Sequence, residues 1–363
     1  MYDLTIELNQ KCNLMCKYCY LEDKNNKEIS FEVGKKTVDF AVACLRKQKD
    51  NLLRINFVGG EPLISFYRIK QLVAYARQID GNIRTKFTIT TNALLLDEEI
   101  LKFLILNEFS LKISLDGSEK INDLNRIDKN GQGTYNALMK KLDLFSEFQI
   151  QTGRCIQVNH VVTHNNVEYF SDSLIHLAKM GYKHIDTGFD TYKKWNNTQL
   201  KILECELDKA IEYYLEKSKT QEAFYWTFPD RALIKYEKIH KDYFCGAGIV
   251  SSYIDMEGNI FPCPKAIQVG YSLGNVQNCI DYSKINTLSQ IKIEPSSKCK
   301  RCTLKDNCRS WRCIFGNLYI TGVYNLCGEF GCWFTQYCYR LEKNYPLLRI
   351  SVEKNPIKHI NLK

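Results

Sequence analysis

Cys12-Asn13-Leu14-Met15-Cys16-Lys17-Tyr18-Cys19 follows directly on an alternating apolar stretch, Leu4 to Leu8. Three cysteines at this Cys-x3-Cys-x2-Cys spacing let one short loop wrap a single iron–sulfur cluster. Three thiolates hold three irons of a cubane and leave the fourth iron without a protein ligand. An open iron at the mouth of a fold is a place to bind and break a cofactor, whereas structural clusters are usually closed by four ligands. The plainer alternative is a zinc site or three neighbouring buried cysteines. Zinc loops favour Cys-x2-Cys or Cys-x4-Cys pairs completed by a second pair elsewhere.

Working outward, strand-like runs alternate with helical ones up to about residue 190. The strand candidates are Leu4–Leu8, Leu53–Val58, Lys86–Thr90, Leu111–Leu115, Gln157–Val162 and His184–Thr187. Between them Phe31–Gln48, Ile64–Ile79, Asp97–Leu106, Thr134–Phe148 and Val167–Met180 carry apolar residues at helical spacing. Strands alternating with helices predict parallel βα units. Six such units are too few for a closed eight-stranded barrel, so the expected fold is α/β, an open partial barrel. Active sites in such barrels sit where strands end and loops begin. The expected segments are 1–196 for the partial barrel, 197–241 for a helical bridge, 242–345 for a small cysteine-rich domain and 346–363 for a polar tail.

Composition sets the compartment. The 363 residues carry 50 Lys and Arg against 41 Asp and Glu, a net charge of +9 without a basic stripe. That argues against a nucleic-acid partner and is compatible with an acidic peptide or an acidic electron donor. No apolar run reaches about 18 residues, so no membrane span is expected. The start, Met1-Tyr2-Asp3-Leu4, lacks the features of a signal peptide, which makes the cytoplasm the default. In that reducing compartment, 16 cysteines point to metal or catalytic duty rather than disulfides. Cys44, Cys155 and Cys205 are isolated and read as small buried hydrophobes.

Polar groups gather at the predicted strand ends. Gly59-Gly60-Glu61-Pro62 follows the second strand, where two glycines permit a tight turn and close backbone approach to a ligand. Glu61 is expected to present its carboxylate at the rim. Thr90-Thr91-Asn92 and Ser114-Leu115-Asp116-Gly117 end the next two strands, and Arg126 lies twelve residues after Ser114. Ser, Asp and Arg supply the hydroxyl, acceptor and fork of donors that ribose and carboxylate recognition need. Asn159, on the fifth strand, faces either the interior or the helix layer; alternation leaves this open. Ten cysteines fall between Cys245 and Cys338. They run Cys245-x12-Gly258-x4-Cys263, then Cys299-x2-Cys302-x5-Cys308-x4-Cys313, with Cys279, Cys327, Cys332 and Cys338 besides. A pair of structural zinc sites is the competing reading of this run.

Together these motifs resemble the radical S-adenosylmethionine (SAM) enzymes with a C-terminal SPASM extension, from about residue 4 to residue 340. The resemblance implies a (β/α)6 partial barrel, a SAM-binding 4Fe–4S cluster on Cys12, Cys16 and Cys19, and two auxiliary 4Fe–4S clusters. It gives Tyr18 the usual aromatic position of the loop and makes the backbone of Gly59, Gly60, Glu61 and Pro62 a grip for the methionine ammonium. Asn92, Ser114, Asp116 and Arg126 are then further SAM-binding positions, Ser114 toward the ribose and Arg126 toward the carboxylate. Asp123 holds its loop. The first auxiliary cluster would take Cys245, Cys263 and Cys313. The second would take Cys299, Cys302, Cys308 and a late cysteine, with Cys338 the first choice. The gap before Cys313 is four residues where the family has three, and no cysteine stands between Arg231 and Phe244. The first cluster therefore either keeps an iron open or borrows Cys279, Cys327 or Cys332.

Enzymes of this kind cleave SAM reductively to a 5′-deoxyadenosyl radical, drawing electrons from a flavodoxin or ferredoxin. SPASM-bearing members mostly modify peptides and proteins. Anaerobic sulfatase maturases, which make formylglycine, carry an Asp after the cysteine equivalent to Cys263; here Pro264 stands there. The expectation is therefore maturation of a ribosomally made precursor peptide. Thioether formation is slightly favoured over carbon–carbon crosslinking or epimerisation, since a substrate thiolate could occupy the open iron. Eleven residues before Cys12 leave no room for a fused leader-binding domain, so a separate protein or the barrel would recognise a leader. The competing class is a non-enzymatic iron–sulfur electron-transfer protein, which needs none of Glu61, Ser114 or Arg126.

Overall fold

The computed structural model describes residues 1–21, 24–79, 81–234, 243–355 and 357–358. Its strands are β1 (Tyr2–Glu7), β2 (Leu52–Val58), β3 (Arg84–Thr91), β4 (Ser110–Ser114), β5 (Gln157–Val162), β6 (His184–Phe189), β7 (Tyr225–Trp226), β8 (Ser251–Ile254) and β9 (Ile260–Phe261). The six expected strands are β1 to β6. The helices between them start and stop close to where apolar spacing placed them, at Phe31–Lys47, Phe66–Arg77, Glu98–Leu106 and Phe170–Lys179. The one expected over Thr134–Phe148 is broken into Tyr135–Met139 and Leu142–Thr152.

The chain packs as two compact units. The first comprises Met1–Asn13, Leu21–Lys112 and Cys245–Lys292. In it β1 pairs in parallel with β2 on one side and β8 on the other, β2 pairs in parallel with β3, and β9 pairs antiparallel with β8. Leu4 sits opposite Ile55, and Ile55 opposite Phe87. These residues, with Ile6, Leu53 and Phe57, are fully buried on one face. The other face alternates polar and half-buried, with Asp3 paired to Arg54 at 3.1 Å. A parallel sheet with one polar face departs from the usual double-sided burial. It leaves Asp3, Arg54 and Asn56 together on a half-buried polar face.

The second unit comprises Leu14–Tyr20, Ile113–Phe244 and Ile293–Lys363. Here β5, β6 and β7 pair in parallel, and Asn159 stands opposite Asp186. The described part of the stretch 197–241, expected as a helical bridge, holds the helix Asn197–Lys217, then β7, then a second helix at Thr227–Ile234, and 235–241 lie outside the described residues. A two-residue strand is too short to announce itself by alternation. The late helix Glu329–Asn344 lays an aromatic face on this unit. Phe330 and Phe334 meet Phe189 with centroids 5.5 and 5.6 Å away, and Phe334 meets Phe228 at 5.9 Å. Tyr337 donates to Asp208 at 2.9 Å. An apolar helix face thus anchors the end of the cysteine-rich run. The tail also holds a helix, Leu347–Glu353, with Leu348 and Val352 buried. Packing groups Cys245–Lys292 with the first strands and Ile293–Lys363 with the later ones, whereas the motif boundaries treat 242–345 as one segment.

Candidate functional site

In the first unit, β2 delivers Gly59-Gly60-Glu61-Pro62 against the backbone that leads into Cys12. Gly60 N–H donates to Asn9 O at 2.8 Å and Glu61 N–H donates to Lys11 O at 2.7 Å. A Cβ at residue 60 would lie 2.2 Å from Lys11 O, and one at residue 59 would lie 2.6 Å from Asn9 O. The close approach that two glycines foretell is thus made to the cysteine-loop lead-in. Glu61 is not at the rim: it is 1% exposed. Its oxygens accept from Leu63 N–H at 3.0 Å, Thr91 Oγ1 at 2.6 Å and Asn92 N–H at 2.8 Å. A buried carboxylate needs such donors, and these tie the end of β2 to the end of β3. Asn92 Nδ2 donates to Asn13 Oδ1 at 2.8 Å and stands 4.0 Å from Cys12 Sγ. Pro62 opens a short 3-10 turn, Pro62–Ser65.

In the second unit, residues 14–17 form an antiparallel ladder with residues 125–128. Met15 N–H donates to Ile127 O at 2.8 Å, Lys17 N–H to Asn125 O at 2.9 Å, and Leu14 bridges Asp128. Beyond it Cys19 N–H turns back to Cys16 O at 3.1 Å. Arg126 donates to Tyr18 OH at 2.7 Å, and Tyr18 OH donates to Asp116 Oδ2 at 2.9 Å. Asp116 Oδ1 accepts from Val161 N–H at 3.0 Å. Burial pushes the Tyr18 phenol and the Asp116 carboxyl upward, and Arg126 opposes both shifts. Asp123 holds its loop as expected: Oδ1 accepts from Thr134 N–H at 2.9 Å and Tyr135 N–H at 3.0 Å. Ser114 is half-buried at the end of β4.

The alternation that left Asn159 open is resolved. Val158, His160 and Val162 are buried, with His160 stacked on Phe170 at 5.5 Å, whereas Asn159 shares the other face with Gln157 and Asp186. Gln157 Nε2 donates to Asn159 Oδ1 at 2.9 Å and Asp186 Oδ2 at 3.0 Å. Sequence reasoning missed Asn13, Gln157 and Asp186. The signal for the last two was the alternation of Gln157 and Asn159 with Val158, and of Asp186 with Ile185, on neighbouring strands.

The late cysteines fall into two kinds of setting. In the first unit Cys245 and Cys279 are exposed, and Cys263 caps the short helix Pro264–Gln268. In the second, Cys313 is exposed, and a Cβ at Gly316 would lie 2.8 Å from its sulfur. Tight turns carry the run: Cys302 N–H donates to Cys299 O at 3.1 Å, and Cys313 N–H to Ser310 O at 3.2 Å. Arg312 donates to Cys308 O at 2.7 Å and Lys305 O at 3.1 Å, clamping the loop from inside. Cys327 donates to Cys332, which together with burial and the nearby thiols of Cys299 and Cys308 pushes its own ionisation up. The same bond pulls Cys332 down. Cys338 is 1% exposed on the helix Glu329–Asn344. Among the described residues, no three His, Cys, Asp or Glu side chains converge on the position of a single metal ion. No helix among them is long and apolar enough to cross a membrane.

The radical SAM superfamily pattern matches residues 6–177. The chain belongs to the radical SAM superfamily. An uncharacterised protein of Methanocaldococcus jannaschii is 32% identical over 203 residues, covering 56% of this chain and 67% of the relative. The cysteine-type anaerobic sulfatase-maturating enzyme of Clostridium perfringens is 23% identical over 328 residues, covering 83% and 86%. Among solved structures, native anSMEcpe with bound AdoMet aligns over 97% of this chain and 99% of its own, with TM-score 0.76 and 19% identity. Streptococcus suis SuiB bound to the precursor peptide SuiA aligns over 91% and 75%, with TM-score 0.63 and 18% identity. These likenesses establish the radical SAM α/β fold and an enzyme, which sets aside the electron-transfer reading. The family implies a 4Fe–4S cluster and SAM. The residues present fit that group: Cys12, Cys16 and Cys19 follow one another in one loop and none is in a disulfide, with the Asn92 amide beside Cys12 in the first unit and Arg126 opposite Cys16 in the second.

Proposed function

We propose that this enzyme is a peptide maturase: it cleaves SAM reductively and uses the resulting radical to modify a ribosomally synthesised precursor peptide or protein. The observations that carry the reading are, in the first unit, the Gly59–Glu61 turn bonded to the lead-in to Cys12 and, in the second unit by itself, residues 15 and 17 bonded to Ile127 and Asn125. When bound, cluster and SAM supply a strongly oxidising carbon radical, and the protein's part is to orient the target and exclude water. Cys12, Cys16 and Cys19 would hold the cluster. The backbone of Gly59 to Glu61, with Asn92 and Ser114, would meet SAM, and Tyr18, Asp116 and Arg126 would back the site. Cys245, Cys263 and Cys313 would serve one auxiliary cluster. Cys299, Cys302, Cys308 and Cys338 would serve a second, with Cys327, which neighbours Cys299 and Cys308, or Cys332 as additional ligands.

Within the second unit, the polar face of Gln157, Asn159 and Asp186 would offer hydrogen-bonding groups to a peptide substrate. A flavodoxin or ferredoxin would supply electrons, and a separate protein could present the leader. The motif segments 1–196, 197–241, 242–345 and 346–363 and a cytoplasmic location belong to the same proposal. Thioether formation is the bond favoured, on the shortage of a cysteine before Cys245. Formylglycine formation is the second reading, favoured by likeness to the sulfatase-maturating relative. Against it, Pro264 occupies the first helical position after Cys263 and offers no titratable group. The test is to incubate anaerobically reconstituted enzyme with SAM, a reductant and candidate peptides encoded beside its gene. A crosslinked peptide formed together with 5′-deoxyadenosine supports the maturase reading; formylglycine in a sulfatase peptide supports the second.

A further inference from the structure

The ladder between residues 14–17 and 125–128 fixes a register. With Leu14 bridging Asp128, Met15 bonded to Ile127 and Lys17 bonded to Asn125, Cys16 and Arg126 are direct opposites. They occupy the non-hydrogen-bonded position, where facing Cα atoms of antiparallel strands approach to about 4.5 Å. Arg126 is 6% exposed, so water screens it little. Its guanidinium is held by Tyr18 OH, and Tyr18 is held by the fully buried Asp116.

We propose that Arg126 sets the reduction potential of the cluster held by Cys12, Cys16 and Cys19, with Tyr18 fixing its position and Asp116 offsetting part of its charge. The inference rests on the reading of Cys16 as a cluster ligand. Reduction adds one electron to an already anionic cluster. A fixed cation beside one ligand stabilises that electron, and the effect grows as the local dielectric falls. Net charge and solvent exposure around a cluster are the levers by which proteins move its potential. Asp116 acts with the opposite sign, so the two residues make a tunable pair rather than a single switch.

The test is an EPR-monitored redox titration of anaerobically reconstituted full-length protein without SAM. Cys16→Ala supplies the background from the auxiliary clusters. Arg126→Gln should make the potential of the remaining signal more negative, and Asp116→Asn should make it less negative. Arg126→Lys keeps the charge and should stay near the unmodified protein. Unshifted potentials in the first two variants, or shifts of the same sign, overturn the inference. Where Arg126→Gln fails to take up iron, Asp116→Asn decides alone, and no rise in potential overturns it. A Cys16→Ala protein that keeps the whole signal overturns the loop assignment and this inference together. Unshifted potentials beside a lost Cys16→Ala signal overturn this inference only.

Discussion

Two cysteine-bearing regions of this chain are built on different principles. The Cys12–Cys19 loop is framed by backbone: main-chain bonds link Met15 and Lys17 to Ile127 and Asn125, and link Gly60 and Glu61 to Asn9 and Lys11. The Cys299–Cys332 run has few such bonds across long separations. Local turns shape it, and side chains hold it, chiefly Arg312 on two carbonyls and Asn317 on Trp311 O and Tyr324 O at 2.9 and 3.1 Å. The difference teaches that the first region is framed by main chain for the cluster the family implies, while the second is shaped by local turns and side chains and would lean on the auxiliary clusters proposed for it.

That contrast can be broken outright at one residue. Cys16→Ala should lose about four irons per chain and leave the auxiliary iron in place, read by iron and sulfide analysis. Next in size is removal of iron with a chelator. Hydrogen exchange should rise first across Cys299–Cys332, since metal binding and folding are coupled where ligands carry the structure. The ladder amides of Met15 and Lys17 should stay protected. Equal loss of protection in both regions would erase the distinction.

Smaller effects sharpen it. Gly60→Ala puts a Cβ 2.2 Å from a backbone oxygen that cannot yield locally. It should cost about 3 kcal/mol or more by chemical denaturation, at the upper end for overpacking. His160 is buried beneath a helix, and burial lowers its pKa from 6.5 to about 4. The stability it contributes is complete above pH 6.5 and is lost as pH falls toward 4. In iron-free protein this is a loss on the order of 3 kcal/mol. His160→Gln should flatten that slope. Gly316→Ala meets the Cys313 thiol at 2.8 Å, and a thiol can rotate away. It should cost about 1 kcal/mol and alter auxiliary-cluster signals without touching SAM cleavage.

Legibility in the sequence follows the same divide. β1 to β6 are readable because apolar residues alternate with others along them, as in Leu53, Ile55 and Phe57, Phe87 and Ile89, or Leu111 and Ile113, and the helices between them keep apolar spacing. The turn at Gly59 and Gly60 was readable as a close approach, but what it approaches was not. That depends on Asn9 and Lys11, some fifty residues away, and no local pattern encodes a long-range contact. Glu61 was misplaced at the rim for the same reason: its three donors come from Leu63, Thr91 and Asn92. β8 was hidden because Ser251–Ile254 lies in a Gly-rich and Cys-rich stretch and gains its strand character from pairing with β1. The aromatic face of Glu329–Asn344 was masked by its cysteines.

The most direct test of the central claim is 5′-deoxyadenosine formation from SAM under strong reductant, comparing unmodified protein with the variant in which Cys12, Cys16 and Cys19 are all alanine. The unmodified protein should make 5′-deoxyadenosine. The triple variant should make none while retaining about eight irons in its auxiliary clusters. A triple variant that still cleaved SAM would contradict the assignment of the cysteine loop.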